Sequence, residues 1–344
     1  MLKLFTNTDF LVEKHRREIF PLLFDLVFKK NETLLASYQI VDSIEVADIV
    51  VCPINYESIF KHYNAALNTL LELSRKHKKP FWMLTAGDYG FTPYIANSYV
   101  FRSGGFNSVL NKNTFVLPAF INDPYKEFLE CDFSILKKTK QPTIGFVGHA
   151  KSGIVKFIKE YYNHIKYRFK SALRLILADK QKFYPSSVKR AKYLNKLTLH
   201  QELNTHFIFR NNYRAGVNSP VEQQKTALQF YNNIFENAYT FCLRGVGNFS
   251  VRFYETLAMG RIPIVVNTDC RFPLEDKIDW NKHCLIIDEK APKPLAEYIL
   301  EFHNNLSISE FEALQQSNRN LWLHVLQREA YFLEVYNHFK NKLQ

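Results

Sequence analysis

Apolar positions along this chain follow two alternating rhythms. Continuous runs of strand length occur at KLF near the start, EVADIVVCPI (45–54), KPFWMLTAG (79–87), TIGFVG (143–148), HFIFR (206–210) and IPIVV (262–266). Between them lie longer stretches with helical patterning, such as HYNAALNTLLELSRKH (62–77) and IVKFIKEYYNHIKYRF (154–169). A strand that is apolar throughout suits a parallel sheet covered on both faces, and strand alternating with helix predicts such sheets. Ligands of open parallel sheets meet the loops beyond the strand C-terminal ends. KKTKQP (137–142) is polar and basic and ends in proline before an apolar strand, so it reads as a linker between domains at 1–140 and 141–305. Ser307 with Glu310 forms a capping-box pattern that opens a long final helix in the segment 306–344, with Trp322 expected in its core.

The chemistry is densest at 241–281. FCL (241–243) enters apolar, Gly245 and Gly247 are expected to let the backbone turn tightly, and Ser250 to cap a following helix. A helix start so placed attracts phosphate. Arg244 and Arg252 flank the turn with guanidinium forks suited to diphosphate oxygens. Glu255, three residues past Arg252, shares its helix face and is placed to accept hydrogen bonds from a ribose. Gly260 fits the left-handed position after the helix, and Pro263 is tolerated at the start of the next strand. Taken alone, the same residues also describe an ordinary loop and a surface ion pair.

The series Arg244-Gly245, Ser250, Arg252, Glu255, Leu257, Gly260, Ile262-Pro263, Leu274, Ile278 and Asp279-Trp280-Asn281 resembles, in order and spacing, the C-terminal signature of the exostosin-like glycosyltransferases, family GT47. Weaker similarity runs through Arg210, Tyr213, Arg214 and YNNIFENAYTFCLRG (231–245) and on to the C-terminal helix. In the first 140 residues the likeness is one of layout, with AGD (86–88) as a trace of the family's Gly-x-Asp-His element; Tyr89 stands where that histidine would be. The resemblance implies an α/β chain of GT-B architecture: two Rossmann-like domains facing across a cleft, with a C-terminal helix packing back across them. It further implies a nucleotide-sugar donor held mainly by the C-terminal domain, inversion at the anomeric carbon, and no metal or other cofactor. By position, Arg244 and Arg252 would hold the donor diphosphate and Glu255 its ribose, with Gly245, Gly247, Asn248 and Ser250 forming the phosphate cradle. Arg210 or Arg214 would reach the donor from the preceding strand.

An inverting transfer needs a base for the acceptor hydroxyl, and Asp88, at a strand end beside the expected cleft, is the first candidate. Asp88 equally suits a Gly-Asp-Tyr-Gly turn with no chemical role. His149, after TIGFVG, and Asp9, after the first strand, are the alternatives. The GHAKSG loop (148–153) offers a second phosphate-friendly turn but lacks the Gly-Lys-Ser/Thr ending of a nucleoside triphosphate loop.

At 344 residues, 47% of them hydrophobic, the chain has material for two cores. Five scattered cysteines, none in a Cys-x-x-Cys pair, argue against a disulfide framework and a zinc site. MLKLFTNTDF has neither the basic nor the long apolar region of a signal peptide, so a cytoplasmic protein is expected. Lys and Arg number 45 against 33 Asp and Glu, a net charge of +12, with basic runs at RKHKK (75–79), LKKTK (136–140), KRAKYLNK (189–196) and FKNK (339–342). No run carries a nucleic-acid-binding module, and solvated basic faces account for them. The excess charge also suits peripheral docking at the inner face of an anionic membrane, where lipid-linked acceptors sit, or acidic glycan acceptors.

The expected function is therefore transfer of a sugar from a nucleoside-diphosphate donor, with UDP the expected nucleotide, to a glycan acceptor in surface-polysaccharide or related synthesis. The alternatives are an exostosin-like domain that binds glycan or nucleotide sugar without turnover and, behind it, a basic nucleic-acid-binding protein.

Overall fold

The computed structural model describes residues 1–211 and 216–343, so Tyr213 and Arg214 lie outside the described residues. Among these, the strands form two parallel sheets. The first takes β1 (Leu2–Phe5), β2 (Tyr38–Val41), β3 (Ile49–Val51), β4 (Phe81–Leu84), β5 (Ser98–Arg102) and β6 (Thr114–Val116) in the order β2-β1-β3-β4-β5-β6. The second takes β7 (Thr143–His149), β8 (Asn204–Arg210), β9 (Tyr239–Cys242), β10 (Ile262–Asn267) and β11 (Leu285–Asp288) in the order β11-β10-β9-β7-β8. Helices α1 (Pro21–Phe24), α2 (Glu32–Ser37), α3 (Tyr56–His62) and α4 (Asn64–Lys76) belong to the first half. The second half carries α5 (Ile154–Ala172), α6 (Ser186–Thr198), α7 (Pro220–Glu236), α8 (Val251–Ala258) and α9 (Leu295–Asn305), followed by α10 (Ile308–Leu321) and α11 (Arg328–Leu343).

The apolar runs explain the strands. Ile49, Val50 and Val51 of β3 and Phe81, Trp82 and Met83 of β4 are fully buried, as central strands flanked on both faces require. In the second sheet Ile262 and Ile264 of β10 pair in parallel with Tyr239 and Phe241 of β9, and all four are fully buried. Each sheet reverses its winding where the strand order turns, β1 to β3 in one and β7 to β9 in the other, and such points open a crevice beyond the strand ends. The two domains meet on that side. Phe106, after β5, bridges to Cys270, after β10, in an antiparallel pair, and the amide of Asn107 donates to the carbonyl of Asp269 at 2.8 Å.

The final segment departs from one long helix. The Ser307–Glu310 capping box starts α10 as expected, but a π-helical turn at Trp322–Leu326 ends at Gln327, whose extended backbone (φ −64°, ψ 153°) breaks the run. The break has a packing reason. α10 buries Phe311 against the second sheet, whereas α11 carries Tyr331, Phe332, Val335 and Phe339, all fully buried, into the core of the first. The chain thus packs back across both domains, and α11 belongs to the first domain's core. Each of these side chains contributes roughly 1.5–3 kcal/mol by leaving water, so the first domain depends on the end of the chain. Trp322 is buried beside Phe253, Leu257 and Trp280, within the core as expected.

Candidate functional site

β9 ends at Cys242 and leads through Leu243 and Arg244 into the glycine turn, after which α8 begins at Val251. Ser250 stands at the cap position with an extended backbone (φ −138°, ψ 119°), but its hydroxyl makes no capping hydrogen bond to the helix. The expected Ser250 cap is therefore absent, and the first amides of α8 are left without that partner.

The chain bends at 246–248 as expected, and it does so without a positive φ at Gly245 or Gly247. The reason for glycine at 247 is proximity. A β-carbon on Gly247 would lie 2.0 Å from the carbonyl oxygen of Asp88 and 2.8 Å from its carbonyl carbon, both of them backbone atoms. The glycine turn and the Asp88 loop of the other domain are in direct contact, and only a residue without a side chain allows it. Gly247→Ala should destabilise the protein by about 1–3 kcal/mol, since neither backbone can swing aside. A thermal midpoint equal to wild type would contradict that contact. Gly260 behaves as expected, with φ +63° just past the end of α8.

Four arginines gather at this end of the second sheet. Arg252, on the first turn of α8, passes over the Phe146 ring with its guanidinium 4.3 Å from the ring centre, and its Nη2 donates to the Val147 carbonyl at 2.8 Å. A β-carbon on Gly148 would lie 2.7 Å from that Nη2, so a side chain there would displace the guanidinium where it crosses β7. Arg244 is 4% exposed, held between the rings of Phe106 from the first domain and Tyr184. Its Nη2 donates to the side-chain oxygen of Gln181 at 2.9 Å and to the Val246 carbonyl at 2.7 Å. Arg210, at the end of β8, donates to the Thr226 carbonyl at 2.7 Å and to Gln229.

Arg190, on α6, is the member that the sequence reading missed. It lies in the basic run 189–196, expected to be solvated, yet its Nη1 donates to the His149 carbonyl at 2.8 Å and its Nη2 to the Arg244 carbonyl at 3.0 Å. A signal was present: Ser187, Ala191, Leu194 and Leu197 form the buried stripe of α6, and position 190 falls on it at helical spacing.

Burial acts on all four groups, and repulsion by Arg252 adds to it at two of them. Burial holds the Arg190 guanidinium down at about 10, with nearby Arg252 acting in the same direction. Burial and then Arg252 lower Arg210 as well, and burial lowers Arg244 and Arg252. The Nε atoms of Arg190, Arg244 and Arg252 are buried without a hydrogen-bond partner among the described residues. Buried donors of this kind carry a desolvation cost that an anion reaching them would offset.

Glu255 does share the Arg252 face, but the two do not form an ion pair among those described; its Oε1 instead accepts from the Tyr231 hydroxyl at 3.4 Å. Burial pushes its carboxyl up to about 7, opposed by Arg252 and then by the Tyr231 hydrogen bond. Since the folded-state value lies above the usual 4.5, the protonated carboxyl favours folding. Its contribution is full below about 4.5 and is lost as pH rises through about 7. Wild type should therefore lose stability relative to Glu255→Gln across that interval in thermal unfolding; parallel curves would contradict a buried, largely protonated Glu255.

Asn248 is buried, and its side chain is occupied. Its Nδ2 donates to the carbonyls of Gly105, Thr268 and Asp269, while its Oδ1 accepts from Thr268 Oγ1 at 2.6 Å. It ties the two domains together, so of the role expected for it only the backbone remains for a ligand. Gly245 lies open, with nothing within 4 Å of where a β-carbon would stand.

Of the base candidates, Asp88 lies nearest the turn. Its carboxylate is exposed and has no hydrogen bond among the described residues, while its carbonyl abuts Gly247. The next residue, Tyr89, accepts at its carbonyl from Arg102 at 2.7 Å and from Gln181, the same glutamine that holds Arg244. His149 has its ring nitrogen 3.1 Å from the Arg210 carbonyl, and burial lowers its pKa. Asp9 is exposed after β1, with no hydrogen bond to the second domain among the described residues. Also among the described residues, no group of three or more His, Cys, Asp or Glu side chains is placed to hold a metal ion, and no helix is long and apolar enough to cross a membrane.

Residues 161–301 match the family model of the Exostosin GT47 domain. The chain is 31% identical over 94 residues to the Exostosin-1 homolog of Caenorhabditis elegans, covering 27% of this chain and 23% of that protein. It is 32% identical over 107 residues to Exostosin-1 of Bos taurus, covering 30% of this chain and 13% of that protein. The matches thus span less than a quarter of the curated relatives' length. Among solved structures, a glycosyltransferase from Rickettsia africae ESF-5 aligns over 98% of both chains at 12% identity and a TM-score of 0.40. An alpha1,3-fucosyltransferase aligns over 92% of this chain and 82% of that one at 11% identity and a TM-score of 0.36.

Proposed function

We propose, from the premise that residues 161–301 form an exostosin-like GT47 domain, that this protein is an inverting glycosyltransferase using a nucleoside-diphosphate sugar. The observation that carries the proposal is the group of buried, unpartnered Nε atoms on Arg190, Arg244 and Arg252 around one glycine-rich turn. Several buried guanidinium groups, two of them further lowered by Arg252, beside a helix start without a side-chain cap suit a ligand with more than one negative charge. A diphosphate meets that description. UDP is the nucleotide we assign to it, with Glu255 toward the ribose.

In the proposed reaction the Asp88 carboxylate takes the proton of an acceptor hydroxyl as that oxygen bonds to the anomeric carbon. The bond from that carbon to the diphosphate oxygen breaks on the opposite side, and nucleoside diphosphate leaves with the electron pair. Arg244 and Arg252 stabilise the charge growing on the leaving group, in positions fixed before the reaction. The acceptor is proposed to be a growing glycan, lipid-linked and reached at a membrane surface. No metal or other cofactor is assigned a role.

A second reading, binding without turnover, draws on Tyr89 in place of the family's histidine. Incubation with a panel of nucleotide sugars, with and without glycan acceptors, separates the two. Acceptor-dependent release of nucleoside diphosphate with an inverted product is the expected result. A product of retained configuration would overturn inversion, and nucleotide binding without release would assign the second reading.

A further inference from the structure

α5 is inverted relative to an ordinary surface helix. Its large apolar residues recur at helical spacing, the pattern of a helix that buries one stripe. The face turned to the protein is the other one. Lys156 and Glu160 pair there at 3.7 Å, Glu160 accepts the Ser187 amide, and the Tyr167 hydroxyl donates to the Asp179 carbonyl. The apolar stripe stands in water, with Ile154 75% exposed, Ile158 59%, Tyr162 63%, Ile165 48%, Phe169 64% and Leu173 54%. Lys159, Lys166 and Lys170 are exposed and follow one edge of the stripe at helical spacing. The helix carries one acidic residue, Glu160, which faces the protein.

We propose that this face of α5 docks in the headgroup layer of an anionic membrane. An apolar stripe bordered by lysines is the composition of a helix lying in the interface plane, its apolar side chains among the upper acyl groups and its ammonium groups among lipid phosphates. Charge decides against a second copy of the chain as the occupant, because a symmetric pairing of this face would bring two lysine borders together. The proposal deepens the membrane contact in the reading above by naming the element that makes it. The opposite side of α5 places the Tyr167 ring on Tyr89, with centroids 3.9 Å apart, next to Asp88. The docked face and the proposed acceptor loop are therefore two sides of one helix, which sets the loop about one helix diameter, ~10 Å, above the headgroup layer.

Co-sedimentation with phosphatidylcholine vesicles, with and without phosphatidylglycerol, tests this without any turnover. The full chain should bind the anionic vesicles and not the neutral ones. Lys159→Glu/Lys166→Glu/Lys170→Glu should weaken binding by roughly a hundredfold, and Ile158→Asp/Ile165→Asp/Phe169→Asp should abolish it, with thermal midpoints unchanged because these positions are exposed. Absence of binding by wild type, or equal binding by the variants, would overturn the proposal. A lipid-free dimer that the Asp variant dissolves, without vesicle binding, would assign the face to a second copy. Nucleotide binding measured on the same preparation shows whether the donor-site reading stands independently.

Discussion

Replacing Arg252 with alanine should lower kcat/KM for sugar transfer by at least about 10²–10³, the usual effect of removing one preorganised donor from a developing anion. The fold should survive. Among the described residues the Arg252 side chain makes one hydrogen bond, to the Val147 carbonyl, leaves its Nε unpartnered, and depresses the proton affinity of both Arg190 and Arg210. Losing the hydrogen bond costs about 0.5–1.5 kcal/mol, while losing the repulsion and the buried charge returns a similar amount. The thermal midpoint of the ligand-free protein should therefore move by no more than about 4 °C. Glu255, relieved of the arginine that lowers its pKa, should titrate higher still. An active Arg252→Ala enzyme would remove the donor assignment.

Asp88→Asn should lower kcat by about 10²–10⁴ and leave donor affinity unchanged, because the amide keeps the shape of the carboxylate but cannot take a proton. The interdomain contact is made by the Asp88 carbonyl and not by the side chain, so it persists in the variant. Stability should change by less than about 0.5 kcal/mol at this exposed position. Turnover equal to wild type would move the base elsewhere, with His149 next in line by its position at the end of β7.

Much of the scaffold was legible in the sequence because it is local. The apolar runs at 45–54, 79–87, 143–148 and 262–266 contain the parallel strands β3, β4, β7 and β10, and Gly260 and the Ser307–Glu310 box are set by neighbours a few residues away. The site was legible only in part. Arg244, Arg252 and Glu255 were found from one short segment, whereas Arg190 reaches them from α6, far away in sequence. The need for glycine at 247 comes from Asp88 in the other domain, a proximity that no local pattern encodes. The break at Gln327 carries no proline or glycine to announce it; it arises because the two halves of the terminal segment have different cores to fill. The apolar period of α5 predicted a helix correctly but not which side its stripe would face, since periodicity fixes an angle on the helix and not what lies opposite.

The central claim is that the arginine group holds a nucleoside diphosphate. It is tested most directly by thermal-shift measurements with UDP, GDP, CMP, dTDP and their sugar conjugates on wild type and Arg252→Ala, since a ligand bound only by the folded state raises the midpoint. The account predicts a rise with UDP and its sugar conjugates that disappears in the variant. No rise with any of them, or a rise that survives in Arg252→Ala, would contradict it.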